Sequence, residues 1–464
     1  MSEGPQRRER SPGMKLLFAG LVSLVLMVPL MLVYALVYDR QDQSNTAQEA
    51  INAGWGGSQV IAGPVLVVPY RTTEVQNEIV DGKTVSKTVE VERELFVSPV
   101  SNRVSTTIKP QERHKSIYRS VLFEAAVNGR AAFRLPDDLP RFGVSAEALM
   151  WDRAELRIGA SDARGLTAGG TITANGQSLD VQPGKGPQAT SRQGFFAFVP
   201  WNGQGGLTVD YAFALRGSRS LSLVPRGGQT TWDVASSWAS PSFGGAFLPE
   251  SRAITEKGFR AHYLVDKLAL GRAPVTTDEE GPPVIDDGSG NVTYPTDSTA
   301  AQARAVTVGL VEPVNLYSKV DRSVKYGFLF IGFTFLAFFL FDVVGGARVA
   351  AVEYLLTGAG LVLFFVLLLA FAEVIGFTPA YLAASAAVIG LLTAYSAAVL
   401  KSWKRARFIG ALLVGLYALL FVLLNLEAWS LMIGSVLLFA ALAGVMYTTR
   451  NIDWGSVGRR EAEG

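Results

Sequence analysis

The chain has 464 residues, 49% of them hydrophobic, with 42 Lys and Arg against 40 Asp and Glu for a net charge of +2. It is too long for one small module and too apolar for an ordinary soluble enzyme, and its balanced charge offers no basic field for nucleic acid. Cysteine is absent, which removes disulfides, thiolate nucleophiles and Cys-ligated zinc; His114 and His262 stand far apart with no ligand spacing around either, so no metal or cofactor is expected.

Residues 1–15 form a basic tail carrying Arg7, Arg8, Arg10 and Lys15, and residues 16–38, from Leu16 to Tyr38, contain no charge until Asp39. Basic residues directly before an apolar run hold that end in the cytoplasm, so 16–38 reads as a first membrane helix. A cleaved signal peptide is the competing reading, because Val33 and Ala35 satisfy a small-residue cleavage pattern; the run is longer than a usual signal core, which favours an anchor. The polar stretch 39–53 lacks Pro and Gly before Gly54 and continues the helix as a stalk.

Residues 39–325 then form a large exported segment. From Val60 to Val265 the signals are those of strands. Val65-Leu66-Val67-Val68 lies between Pro64 and Pro69, and Leu207, Val209, Tyr211, Phe213 and Leu215 alternate with other residues, the period of a strand with one buried face. Asn128-Gly129 and Asn175-Gly176 are expected at hairpin turns. Residues 274–303, with Asp278, Glu279, Glu280, Asp286, Asp287 and Asp297 among Gly, Pro, Ser and Thr, predict a mobile acidic insert, with an acidic docking strip as the alternative.

Residues 326–447 form the last third of the chain, with five apolar runs: Tyr326 to Val344, Val352 to Phe371, Phe377 to Leu400, Phe408 to Leu424 and Ser430 to Tyr447. Each approaches the roughly 18 residues needed to cross a bilayer core of about 30 Å. With the first anchor this predicts six transmembrane helices and a cytoplasmic tail at 448–464. Arg348, then Lys401, Lys404, Arg405 and Arg407, then Arg450, Arg459 and Arg460 fall on the cytoplasmic side, while the opposite loops 372–376 and 425–429 have no Lys or Arg. Lys319, Arg322 and Lys325 run against that bias, but long domains translocate largely regardless of charge. Trp403, Trp429, Tyr447 and Trp454 sit where an interfacial aromatic belt would.

Candidates for chemistry are few. Asp342 and Glu353 lie near cytoplasmic helix ends, Glu373 and Glu427 near outer ends, and none is at mid-depth, which disfavours a proton-coupled transporter. Asp342, Arg348 and Glu353 either tie two helices together or stand as solvated interfacial charges. Ala383, Ala387, Gly390, Gly358 and Gly360 predict close helix packing. Ser161-Asp162-Ala163-Arg164-Gly165 has the residue types of a nucleophilic site but no neighbouring His, and Asp with Gly reads as a structured turn. No nucleophile elbow, P-loop or dinucleotide fingerprint occurs. The stretch from Trp238 to Pro249, including Pro241, Ser242, Phe243 and Phe247, predicts an ordered loop whose aromatics pack under the sheet, or else a binding surface.

Several of these residues together resemble the CreD family of bacterial inner-membrane cell envelope integrity proteins. The resemblance is carried by Trp55-Gly56-Gly57, Gly63-Pro64-Val65-Leu66-Val67-Val68-Pro69-Tyr70, Ser161 to Gly165, Trp238 with Pro241-Ser242-Phe243 and Phe247-Leu248-Pro249, Glu312-Pro313-Val314, Tyr317, Lys325-Tyr326, Leu329-Phe330-Ile331, Thr334-Phe335-Leu336, Tyr354-Leu355-Leu356, Thr449-Arg450 and Asp453-Trp454. Asp342 departs from the family's usual Glu, Ala372-Glu373-Val374 replaces a more polar segment, and 274–303 looks like an insertion. The family implies a location and a role in envelope integrity, without an agreed active site.

The expectation is therefore a multi-pass membrane protein of mixed α and β class, with one N-terminal and five C-terminal transmembrane helices around a large, mostly antiparallel β domain in the periplasm. Both termini are expected in the cytoplasm, and the partners are the lipid bilayer and envelope proteins, lipids or cell-wall components. It is expected not to be an enzyme. The alternatives are a transporter or lipid-handling protein, for which Thr334, Ser385, Thr393, Tyr395 and Ser396 offer the mid-run polar groups, and a membrane-anchored periplasmic hydrolase.

Overall fold

The computed structural model describes residues 12–80, 83–115, 117–167, 169–286, 292–293, 301–310, 316–343, 350–425 and 430–450. The chain separates into two compact units, one of Thr46–Pro313 and one of Met1–Asn45 with Val314–Gly464.

The first unit is β-rich. One sheet of nine strands runs, in order, β13 (Pro241–Gly245), β19 (Val306–Leu310), β11 (Ser220–Val224), β1 (Gln59–Val80), β5 (Glu155–Ala160), β9 (Gly194–Phe198) and β8 (Gln182–Pro183), with β2 (Lys83–Val97) pairing both β1 and β16 (Val275–Thr276). A second sheet of eight strands runs β14 (Ser251–Thr255), β15 (Gly258–Asp266), β12 (Gln229–Ser236), β3 (Ser101–Lys115), β4 (Tyr118–Phe133), β10 (Leu207–Ser218), β6 (Thr171–Ala174) and β7 (Gln177–Ser178). Pairing is antiparallel except for β1 with β11 and β12 with β3. The short helix α2 (Lys267–Leu270) follows β15, and Asp266 caps it by accepting from the Leu268 N–H at 3.0 Å.

Alternation explains the common core. On β10, Leu207, Val209, Tyr211, Phe213 and Leu215 are all buried, and they join Leu66, Leu95 and Leu156 of the first sheet with Ile108, Phe123 and Trp232 of the second. Each such side chain contributes about 1.5–3 kcal/mol on leaving water. Trp232 stacks on its cross-strand partner Tyr263 at 5.3 Å and donates its indole N–H to Thr106 Oγ1 at 2.9 Å.

The two Asn-Gly pairs diverge. Asn175-Gly176 makes the expected tight turn between β6 and β7, with φ of 48° and 84°. Asn128-Gly129 instead lies inside β4, opposite Ser105 and Val104 on one side and Ala212 and Tyr211 on the other. The Tyr211 ring occupies the space where a Cβ on residue 129 would sit, so this glycine serves close packing rather than a turn.

The acidic segment also differs from the mobile insert expected of its composition. Thr276 pairs with Phe96, Gly281 bridges Gln302, and β17 (Ile285–Asp286) pairs with β18 (Val292–Thr293). Glu279 is buried, with its carboxylate 3.3 Å from the Arg226 guanidinium and accepting the Gln188 N–H at 3.1 Å. A buried arginine explains why an acid from a polar stretch is drawn inside. The remaining positions, 287–291 and 294–300, lie outside the described residues.

The second unit is helical. Helix α1 runs without interruption from Pro12 to Ala53, past the apolar run, and α3 (Leu316–Lys325) buries Tyr317, Val320 and Val324. The unit boundaries fall at 45/46 and 313/314, so α3 and the residues just after Tyr38 group with the helices, and the stretch 39–53 is helical, as a stalk continuing the first helix. Helices α4 (Gly327–Val343), α5 (Ala351–Ile375), α6 (Phe377–Val399), α7 (Trp403–Asn425) and α8 (Ser430–Thr449) follow. Among the described residues, four helices are long and apolar enough to cross a membrane: α1, α5, α6 and α7. The described part of α4 has only 17 residues. On α1, Leu26, Leu30, Val33 and Val37 form a buried stripe at spacings of four, three and four, while Leu24, Met31 and Leu32 on other faces are exposed. Leu26 lies against Gly358 and Leu30 against Gly327, so small residues let α1 approach its neighbours.

Candidate functional site

The turn after β5 is the first candidate, and its side chains are occupied in holding the fold. Ser161 Oγ accepts the Val60 N–H at 2.9 Å. Asp162 accepts the Arg164 N–H at 3.0 Å and pairs with its guanidinium at 2.8 Å. That hydrogen-bonded guanidinium holds the Asp162 carboxyl below the usual carboxylate range. Gln59 Nε2 donates to the Arg216 carbonyl at 2.9 Å and the Asp162 carbonyl at 3.3 Å. Gly165 packs against the same Gln59 and Arg216 atoms. The motif is a corner that fastens β5 to β1 and β10. No described acid–base partner meets Ser161; His262 is on β15, bound at 2.7 Å to Asp233. Among the described residues there is no cluster of three or more metal-ligating side chains.

The middle of the aromatic stretch, Pro241–Gly245, is a strand where a loop was expected. Pro241 pairs with Leu310, Ser242 with Gly309 and Phe243 with Val308, because β19 offers an open edge that β13 completes. Proline fits as the first residue of such an edge strand. Trp238, Phe243 and Phe247 pack against the core, with Phe243 edge-on to Phe259 at 5.6 Å. Trp238 donates its indole N–H to the Ser240 carbonyl at 3.1 Å.

A third site lies wholly within the helical unit. Glu373, in the last turns of α5, has a side chain only 7% exposed, 3.7 Å from Arg40 Nε of α1. It accepts the Tyr317 hydroxyl of α3 at 3.2 Å. Nearby in sequence on α3, Lys319 donates to Asn425 of α7 at 3.2 Å and lies 5.3 Å from the Phe377 ring of α6. Lys325 pairs with Asp321 at 2.7 Å and lies over the Tyr34 ring of α1. A short amphipathic helix is thus tied by polar contacts to α1, α5 and α7. A carboxylate this buried is stabilised by its partners rather than by water. In the sequence Glu373 is legible only as an interfacial charge, and spacing alone does not bring residues 40, 317 and 373 together.

The other interfacial charges divide. Glu353 accepts the Ala350 N–H at 2.7 Å and so caps the start of α5. The side chains of Asp342 and Arg348 lie outside the described residues. Thr334 and Ser396, which a polar path would use, are buried, and Tyr381 donates its hydroxyl to the Tyr417 carbonyl at 2.6 Å.

Residues 11–455 match the family model described as Inner membrane protein CreD. The chain belongs to the CreD family. It is 32% identical over 441 residues to the Inner membrane protein CreD of Escherichia coli (strain K12), covering 93% of this chain and 91% of that relative. The apolar faces of α1, α5, α6 and α7 suit the inner membrane that the CreD name states. The corner at Ser161, the edge strand at Pro241 and the polar belt around Glu373 are therefore features of a CreD-family membrane protein.

Proposed function

We propose that this protein is a non-enzymatic, multi-pass protein of the bacterial inner membrane that presents its β-rich unit in the periplasm and supports cell envelope integrity through contacts made there. Six membrane helices, one before the β-rich unit and five after it, leave both termini in the cytoplasm, and the first helix is retained as part of the helical unit. The observation that carries this reading is the use of the candidate groups. The Ser161 hydroxyl and the Asp162 carboxylate serve the backbone and Arg164, and Glu373 serves α1 and α3. The retained first helix is supported by the buried stripe from Leu26 to Val37, and the topology by the basic residues Lys401, Lys404, Arg405 and Arg407 between α6 and α7.

Because the chain has no cysteine, single Ser251→Cys and Lys404→Cys variants test the topology. A membrane-impermeant maleimide applied to spheroplasts is expected to label position 251 alone. In parallel, a strain lacking the gene is expected to be sensitised to detergent and to recover with the wild-type chain and with Ser161→Ala. Labelling of position 404 from outside overturns the topology, and a failure of Ser161→Ala to complement at normal protein level overturns the non-enzymatic reading.

A further inference from the structure

The far end of the β3–β4 hairpin is unused by the proposed function. The last pairs linking it to the rest of its sheet are Ile108 with Ser236 and Leu122 with Ser218. Beyond them Val121 still accepts the Arg219 N–H at 3.2 Å and, with Ser120, is buried; the two strands pair with each other to the turn, ending at His114 with Arg119 and Lys115 with Tyr118. This end carries Lys109, Arg113, Lys115 and Arg119 against the single acid Glu112, with His114 among them. Arg113, two pairs short of the turn, lies 5.4 Å from the centre of the Trp55 ring. Lys109, Lys115 and Arg119 are exposed, and no described acid forms an ion pair with them; Glu124, across from Lys109, is engaged by Arg216 at 3.1 Å. At the turn, Ile117 is exposed and Tyr118 half-buried.

Such an end is costly in water. Lys115 and Arg119 flank the turn, diagonal to each other across the last pair, and like charges at that separation repel. That repulsion falls if an anionic surface receives the end. An aqueous polyanion would reward only the cations, whereas a lipid interface also rewards an aliphatic side chain at the tip and an aromatic ring beside it. Within the β-rich unit the hairpin is fastened short of its turn, where Ser120 Oγ donates to Asn52 Oδ1 at 2.7 Å, so the turn is held in one position. We propose that the β3–β4 hairpin is a lipid-docking element, with Lys115 and Arg119 held against anionic phosphate headgroups and Ile117 and Tyr118 set into the interfacial layer. The inference does not depend on which side of the membrane the β-rich unit occupies.

The test uses the full-length chain carrying Ile117→Cys, labelled with an environment-sensitive fluorophore and reconstituted into vesicles of phosphatidylcholine alone or with phosphatidylglycerol. Label at Ser251→Cys serves as the aqueous control. At position 117, adding phosphatidylglycerol is expected to shift emission to the blue and to protect the label from a water-soluble quencher. Raised salt should reverse both effects by screening. Each of Lys115→Glu and Arg119→Glu should reduce the protected population at least about fivefold, the order expected for removing one cation from an anionic surface. An unchanged thermal melt of these variants keeps misfolding apart from lost binding. A label equally accessible in both vesicle types overturns the proposal, as does equal protection in the neutral vesicles, which would place a protein contact there instead.

Discussion

Asp162 shows what one carboxylate does in this fold. It accepts a backbone N–H and a guanidinium from Arg164, two residues on, and these bonds favour its charged form. Its folded-state pKa is lowered, so the unfolded chain takes up the proton first as pH falls. The stability it contributes is therefore complete above the ordinary carboxylate pKa of about 4 and is lost progressively below it. Comparing wild type with Asp162→Asn by denaturant unfolding across pH should show the wild type more stable at neutral pH, with the gap closing below about pH 4. A gap that persists unchanged into acid would mean that the carboxylate's charge is irrelevant to the turn.

At the scale of elements, the position of α3 depends on its polar ties as well as on Val320 and Val324. Arg40 is 39% exposed, so its pair with Glu373 is screened and worth less than a buried pair. The hydrogen bond from Tyr317 ends on a buried carboxylate and counts for more. Replacing Glu373 by Ala is expected to lower stability by about 1–3 kcal/mol, and Tyr317→Phe by roughly 1 kcal/mol. Glu373→Gln, which keeps an acceptor, should fall between wild type and Glu373→Ala when melting is followed in detergent micelles. A Glu373→Gln variant as unstable as Glu373→Ala would shift the weight from Tyr317 to Arg40.

The whole molecule is two folding problems in one chain. The β-rich unit closes its own core from both sheets, and the helical unit is stabilised by apolar faces suited to lipid. Residues 46–313 produced alone are therefore expected to be soluble, to show a strand-rich circular dichroism spectrum and to unfold in one cooperative step. Aggregation, or melting without cooperativity, would show that this unit needs the helices.

Local pattern makes the apolar helices and the antiparallel strands legible in the sequence. The period along β10 and the length of the runs from 326 to 447 are properties of contiguous residues, and burial follows from them directly. It did not reveal that Asn128-Gly129 sits inside a strand, because the deciding group is the Tyr211 ring more than 80 residues away. Glu279 reads as solvated in its polar stretch, yet Arg226 stands beside it, and Pro241–Gly245 reads as a loop, yet β19 supplies an edge. The candidate site shows the same division. Glu373 could be named from its place at a helix end, but Arg40 and Tyr317 become its partners only when α1 and α3 return to α5. Transfer from water to an apolar medium is a property that each segment carries with it. The pairing of charges and edges remote along the chain exists only once the chain has closed on itself.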